Sequence, residues 1–237
     1  MLTKVLELDK KSIISVVGAG GKTTFVNTLS KELRSQYSVL LTTSTKIYIP
    51  KNYDYLIIGS KELEKYYYKP NKGIYVYGKE ISSEQKLIGV DIVPKIFDHV
   101  LIEADGAKNK EIKGWNDYEP VIISDTSITV GIISIEALGI VVNNNNVHRL
   151  KRFINITNTT ENALITINDL IKVIIDIRGL FKNALGRKIL FINKVETDIQ
   201  VSSAKKIINY LKKNNVFLER VIIGSLKNMR YMSYILR

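Results

Sequence analysis

A glycine-rich segment near the start of the chain constrains the fold more than any other feature. The segment SVVGAGGKTTF, residues 15–25, follows an apolar run rich in Ile and Val. It precedes a pattern in which Phe25, Val26, Leu29 and Leu33 share one face at helical spacing. A strand, a glycine loop and a helix in this order leave backbone N–H groups free to contact phosphate at the start of the helix. The segment therefore predicts a phosphate-binding strand–loop–helix unit.

The loop matches the phosphate-binding consensus only in part. The consensus Gly, four residues, Gly-Lys-Ser/Thr would place its first Gly at position 16, where this chain has Val16. We interpret Val16 as part of the strand and the loop as a short one, similar to that of the Mur and folylpolyglutamate ligases. A turn required only for packing would need neither Lys nor Thr. The predicted nucleotide-binding residues are Gly18, Ala19, Gly20, Gly21, Lys22, Thr23 and Thr24.

Short β-branched runs alternate with helical patterns along the rest of the chain. Strands are expected at 12–17, 38–43, 55–59, 74–78, 99–104, 121–124, 128–134, 188–194 and 217–225. Further helices are expected near 61–68, around 90–97 and at 202–215. This alternation predicts a three-layer α/β fold of the P-loop nucleotide-hydrolase type with a mostly parallel sheet. We expect one domain over residues 1–237, with a helical insertion at about 143–185.

Two carboxylates end the strand in HVLIEADGAK. Glu103 and Asp105 are two residues apart, so in an extended chain both side chains point to one face. Two carboxylates so placed repel each other unless a cation or water lies between them. We predict Asp105 as the first Mg²⁺ ligand, together with the Thr23 hydroxyl, and Glu103 as a second ligand or the base that orients water. The predicted catalytic residues are Lys22, Glu103 and Asp105; the alternative is that one carboxylate caps a helix or faces solvent.

Other polar residues are weaker candidates for phosphate contact. Thr43 and Lys46, in LLTTSTK, end a predicted strand, although ordinary turn chemistry explains Ser and Thr there equally well. Arg149, in NNNVHRLKRF, is suited to bidentate binding of a phosphate or an anionic substrate, or it is a solvated side chain in a basic segment.

The segment FINKVE resembles the base-reading motif Asn-Lys-x-Asp of GTPases. Asn193 and Lys194 follow an apolar strand, and Glu196 stands where that motif has an Asp that accepts two hydrogen bonds from guanine. The sequence predicts a base pocket formed by these three residues. It leaves ATP and GTP both open.

Composition excludes several other classes. The net charge of +12 comes with scattered Lys rather than a dense basic cluster, so we expect no nucleic-acid partner. Cys is absent and only two His are present, which excludes disulfides and argues against a zinc site. The first residues lack the apolar core of a signal peptide, and no apolar run has the length of a membrane span. These observations indicate a cytoplasmic protein without a membrane partner.

Together these segments resemble one family. In order along the chain they are VVGAGGKTT, TTSTK, LIEADGAKNKEIK, YEPVI, TVGIISIEALG, VHR and FINKVE. They are similar to the YqeC-type family of selenium-dependent molybdenum hydroxylase accessory proteins. Lys108 falls on the acidic-Gly-basic block of that family, whereas Tyr118 and Glu196 stand where a His and an Asp are expected.

The resemblance implies an accessory role in maturing or inserting a selenium-containing molybdenum cofactor. A molybdenum hydroxylase or its cofactor-insertion machinery would then be a partner besides the nucleotide. We expect a Mg²⁺-dependent P-loop NTPase. An ATP-dependent ligase or kinase that activates a small acid or cofactor, and a nucleotide-dependent adaptor without hydrolysis, are the alternatives.

Overall fold

The apolar runs form a nine-stranded β-sheet in the computed structural model, which describes residues 1–66 and 70–236. Its strands are, from one edge to the other, β13 (Arg230–Ile235), β12 (Arg220–Ser225), β11 (Arg187–Asn193), β9 (Ile128–Ser134), β1 (Ser12–Gly18), β7 (His99–Glu103), β2 (Ser38–Thr43), β5 (Gly73–Gly78) and β4 (Tyr55–Ile58). Strands covered on both faces read as continuous apolar runs rather than alternating ones, and β2 is buried along its whole length.

Neighbouring strands of this sheet run parallel, except that β13 pairs antiparallel with β12 at one edge. β1 lies at the centre, with Gly18 opposite Ile132 of β9 and Val16 opposite Glu103 of β7. The carboxyl ends of β7, β1, β9 and β11 therefore lie together. This confirms the predicted α/β class with a mostly parallel sheet.

Six α-helices lie within the described residues: α1 (Leu2–Leu6), α2 (Lys22–Leu33), α3 (Ser60–Leu63), α4 (Leu150–Thr157), α5 (Ile167–Ile175) and α6 (Asp198–Lys213). Two small ladders complete the structure: β3 (Lys46–Tyr48) pairs with β6 (Lys86–Ile88), and β8 (Ile112–Lys113) pairs with β10 (Val147–His148). Over the same described residues, no helix combines the length and the apolar character that crossing a membrane requires.

Apolar cores lie on both faces of the sheet. Successive strand residues point to opposite faces, so Val16 packs in a cluster with Leu29 of α2, whereas Val17 belongs to a cluster with Phe153 of α4 and Ile207 of α6. Leu29 is completely buried, and burying such a side chain stabilises the fold by about 1.5–3 kcal/mol. Helices therefore cover the sheet from both sides.

The predicted helical insertion at 143–185 contains α4 and α5 and connects β9 to β11. α5 begins with a capping box, in which the Thr166 side chain accepts the N–H of Asp169 and the Asp169 side chain accepts the N–H of Thr166. Its buried side chains join the cluster over β9 and β11. The insertion is therefore a crossover connection that supplies part of one helical layer.

Two predicted elements are wrong. Residues 90–97 form no helix, although Val90, Val93 and Phe97 have near-helical spacing and are buried. Pro94 explains the difference, because a proline disfavours the helical conformation of the residue before it. Residues 121–124 form no strand and lie in an irregular segment.

Other element boundaries differ more modestly. The helix predicted near 61–68 is α3 followed by a 3₁₀ turn at Glu64–Tyr66, and its positions 67 and 68 lie outside the described residues. The helix expected from residue 202 begins at Asp198, because Thr197 and Gln200 form a capping box one turn earlier. α1 and β13 were not predicted.

Candidate functional site

The glycine loop joins the end of β1 to the start of α2 at the centre of the sheet. Gly18 and Gly20 have φ angles of 101° and 80°, which favour glycine. A Cβ atom on Gly18 would lie 2.1 Å from the Ile132 carbonyl oxygen, and one on Gly20 would lie 2.4 Å from Cβ of Ser134. The loop thus needs glycine both for its backbone and for its close approach to β9.

The start of α2 supplies the features of an anion site. The N–H groups of Lys22, Thr23 and Thr24 have no acceptor within the helix, because they belong to its first turn. Thr23 and Thr24 are exposed, whereas Lys22 is buried. A helix start of this kind attracts phosphate through its N–H groups and its dipole.

The Lys22 side chain folds back across the loop. Its Nζ donates to the Gly18 carbonyl oxygen at 2.5 Å and lies 3.1 Å from Oδ1 of Asp105. The lysine is therefore held between the loop and the residue that follows β7.

Asp105 is fully buried, accepts hydrogen bonds from three groups and forms an ion pair with Lys22. The Gly18 N–H lies 3.1 Å from both carboxylate oxygens, and Oδ2 also accepts Nε1 of Trp115 at 2.7 Å and Nζ of Lys113 at 3.1 Å. Burial alone would raise the pKa of Asp105, but Lys22, Lys113 and the Gly18 N–H together hold that pKa below its usual value. Asp105 is thus an ionised anchor whose oxygens are occupied by protein donors.

Glu103 lies beside Thr23. The Thr23 hydroxyl donates to Oε2 of Glu103 at 3.2 Å, and Glu103 is almost fully buried. Burial raises the pKa of Glu103, an effect that Lys22 and the Thr23 hydroxyl offset only in part. In the described part of the chain, no three His, Cys, Asp or Glu side chains are grouped so as to hold a metal. A metal here would need ligands such as the Thr23 hydroxyl, water or phosphate.

The three predicted base-pocket residues lie at or just beyond the end of β11. Asn193 contacts the glycine loop, because its Nδ2 donates to the Gly20 carbonyl at 2.7 Å. Lys194 is paired with two carboxylates, Glu111 at 2.7 Å and Glu136 at 2.9 Å. Glu196 is exposed.

The weaker candidates are distributed around this centre. Thr43 is buried at the end of β2 and donates to the Glu103 carbonyl at 2.7 Å. Arg149 binds both carboxylate oxygens of Glu119, at 2.8 and 2.5 Å. Lys46 and Lys108 are exposed. Thr43 therefore supports the strand that carries Glu103, and Arg149 is engaged by protein.

A buried ionic chain extends the site beyond the residues that the sequence predicted. Lys113 of β8 has no exposed side-chain surface, donates to Asp105 at 3.1 Å and lies 3.3 Å from Glu119, which in turn binds Arg149. Burial lowers the pKa of Lys113, and the two carboxylates oppose this effect. No apolar periodicity marks a buried lysine; only the density of charges in EADGAKNKEIK could have drawn attention to it.

Fold and site together define a class: an α/β protein in which a glycine loop and a helix start meet two carboxylates at the carboxyl end of a parallel sheet. The sequence comparisons give the family. The family model described as "YqeC protein" matches residues 14–151, more than half of the chain, and the chain belongs to this family. The "Uncharacterized protein YqeC" of Escherichia coli (strain K12) is 27% identical over 234 residues, which cover 92% of this chain and 89% of that protein. No solved structure matches.

Replacing Lys113 by Met tests the ionic chain. The substitution leaves Asp105 and Glu119 buried without the cation between them, so we expect the free energy of unfolding to fall by about 3–5 kcal/mol. Urea denaturation followed by circular dichroism measures the change. Lys151→Met, at an exposed position of α4, is the control and should change stability by less than about 0.5 kcal/mol. Equal losses in the two variants would contradict the role of Lys113.

Proposed function

We propose that the protein is a Mg²⁺-dependent nucleotide-binding protein of the P-loop class, a slow NTPase that binds ATP or GTP at its glycine loop. The contact between the start of α2 and the end of β7 carries this proposal. Lys22 lies against Asp105 and Thr23 lies against Glu103. A strand-to-helix turn that served packing alone would need none of these four side chains.

The strand order supports the same class. From β1 the chain crosses through α2 to β2 on one side, whereas β9 adjoins β1 on the other side. Ligands of open α/β sheets bind at the carboxyl ends of strands where connections diverge in this way. The glycine loop lies at such a point.

The oxygen atoms around Thr23 fit Mg²⁺. This cation binds hydroxyl and carboxylate oxygens, keeps several waters and is commonly completed by substrate phosphates. Glu103 is buried with a raised pKa, and a bound cation would favour its ionised form. The filled contacts of Asp105 support Glu103 rather than Asp105 as the carboxylate nearest the metal, with Asp105 orienting Lys22 and the loop.

In this proposal the chain contributes mainly positioning and charge. Lys22 and the N–H groups at the start of α2 would neutralise the terminal phosphates. Thr23 would bind Mg²⁺, and Glu103 would bind the ion or orient the attacking water. Such electrostatic positioning provides most of the catalysis in phosphoryl transfer.

The further part of the proposal is a cytoplasmic role in the maturation of selenium-dependent molybdenum hydroxylases, which the resemblance of the sequence motifs to YqeC-type accessory proteins implies. The hydroxylase or its cofactor-insertion machinery would be the protein partner. Because the sequence has no Cys, the proposal assigns no selenium ligand to this chain and confines its chemistry to the nucleotide.

Replacing Lys22 by Ala should abolish tight nucleotide binding. Loss of a buried cation that faces phosphate costs about 3 kcal/mol or more, which is roughly a hundredfold in affinity. Calorimetric titration of the full chain with ATP and with GTP, in the presence and absence of Mg²⁺, measures the effect. Lys31→Ala, at an exposed position in the last turn of the same helix, should bind like the wild type.

The same titrations, combined with a phosphate-release assay, separate the proposed NTPase from its alternatives. Phosphate release from nucleotide alone supports the NTPase. Release only after an acid acceptor is added supports a ligase or kinase, and tight binding without turnover supports an adaptor. Unchanged binding in the Lys22→Ala variant would refute the site itself.

Replacing Glu103 by Gln should stabilise the metal-free protein at neutral pH. The folded-state pKa of Glu103 is raised by burial, so the ionised carboxylate reduces stability, and this loss grows as pH rises through the folded pKa. We expect the variant to melt higher than the wild type at neutral pH, by about 2–4 °C for each kcal/mol gained. The difference should vanish below the pKa of an unfolded Glu, about 4.3.

Magnesium and nucleotide together should reduce the difference in melting temperature between Glu103→Gln and the wild type. We expect Mg²⁺-nucleotide to raise the melting temperature of the wild type more than that of Glu103→Gln, because the variant lacks the carboxylate. Glu161→Gln, at an exposed position, controls for loss of one negative charge. If the melting temperatures of Glu103→Gln and the wild type differ by the same amount at every pH, the buried Glu103 carboxylate does not reduce stability as expected.

A further inference from the structure

The turn after β12 fixes the orientation of an exposed carboxylate at the predicted base pocket. The Ser225 hydroxyl donates to Oε1 of Glu196 at 2.7 Å, and Ser225 itself accepts the Asn228 N–H at 3.0 Å. The Glu196 N–H is in turn bound by the side chain of Gln200 at 2.8 Å. Glu196 is therefore held at both its backbone and its side chain, although it is exposed.

One side chain links this carboxylate to the glycine loop. Asn193 donates from Nδ2 to the Gly20 carbonyl at 2.7 Å and accepts at Oδ1 the N–H of Leu226 at 3.2 Å. A Cβ atom on Gly21 would lie 2.3 Å from Asn193 Nδ2, so the amide and the loop are in close contact. The glycine loop, the end of β11 and the turn after β12 are thus joined by hydrogen bonds of one side chain.

The spacing along the sheet suits a nucleotide. β9 alone separates β1 from β11, and neighbouring strands are about 4.8 Å apart, so the ends of β1 and β11 lie about 10 Å apart. A nucleotide whose phosphates contact the glycine loop would span this distance with its ribose and place its base near Glu196.

The chemistry of Glu196 discriminates between bases. An ionised carboxylate only accepts hydrogen bonds; Oε1 already accepts Ser225, and within the described residues Oε2 has no donor among the hydrogen bonds formed. Guanine presents two adjacent donors, N1–H and the 2-amino group. Adenine presents an unprotonated N1 there, an acceptor that a carboxylate repels.

We infer that the site selects guanine over adenine nucleotides and that Glu196 is the specificity-determining residue. The inference rests on the proposed function, because it needs phosphates at the glycine loop. It also explains Ser225, whose hydroxyl holds a side chain one methylene longer than Asp in a single direction. Glu196 is a positioned acceptor for the base and takes no part in the reaction at the phosphates.

Calorimetric titration of the full chain with Mg²⁺-GTP and Mg²⁺-ATP tests the inference. We expect GTP to bind at least about tenfold more tightly than ATP, the discrimination that one bidentate base contact supplies. Glu196→Gln turns one acceptor into a donor and should remove this preference. The same variant should bind xanthosine triphosphate more tightly than the wild type does, because xanthine has a carbonyl where guanine has its 2-amino group.

Two further variants test whether the GTP preference comes from the oriented Glu196 carboxylate or from another negative charge close to it. Asp198→Asn removes an exposed carboxylate two residues away and should keep the GTP preference of the wild type. Ser225→Ala leaves the Glu196 carboxylate in place but frees its orientation, and should reduce the preference for GTP by weakening GTP binding.

The possible failures are distinguishable. A wild-type protein that binds ATP as tightly as GTP, or more tightly, overturns the inference and leaves the proposed function standing. A GTP preference that survives Glu196→Gln overturns the assignment of Glu196. A wild-type protein that binds none of the three nucleotides overturns the proposed function.

Discussion

The buried carboxylate of Asp105 is the interaction on which the rest of the site depends. It accepts the Gly18 N–H, so it fixes where β1 ends and where the glycine loop begins. It also binds Lys22 from the loop, and Lys113 and Trp115 from the segment that follows β7. One side chain thus joins two parts of the chain that are far apart in sequence, and the loop has its shape because this carboxylate is ionised and fully partnered.

A buried charge of this kind is stable only as part of a balanced set. Removing an ion from water costs several kcal/mol, and partners recover that cost only when their geometry is good. Lys113 balances the charge of Asp105, and Glu119 balances the charge of Lys113. Arg149, which is partly exposed, pairs with Glu119. The ion pairs therefore connect the buried end of β7 to the partly exposed Arg149.

Much of the sheet was predictable because each buried parallel strand is a short run of apolar, β-branched residues, which can be recognised from the local sequence alone. The proximity of Lys22 and Thr23 to Glu103 and Asp105 was also predictable, since carboxyl ends of neighbouring strands meet. The ion-pair partner of Asp105 was not, because two carboxylates two residues apart indicate only that a cation or water lies near them, whereas Asp105 pairs with Lys22 of the same loop at 3.1 Å. Lys113 and Trp115 were missed for a related reason: they lie in and just after β8, whose partner β10 lies far along the chain.

The link through Asn193 joins the glycine loop to the residues of the predicted base pocket. Its amide contacts Gly20 on one side and Leu226 on the other, and Leu226 directly follows Ser225, whose hydroxyl binds Glu196. Glycine is required at position 21 partly because this amide lies against it. A short loop can therefore be as well defined as a longer one: Asp105 holds its first residue, Asn193 holds its third, and α2 begins directly after its fourth.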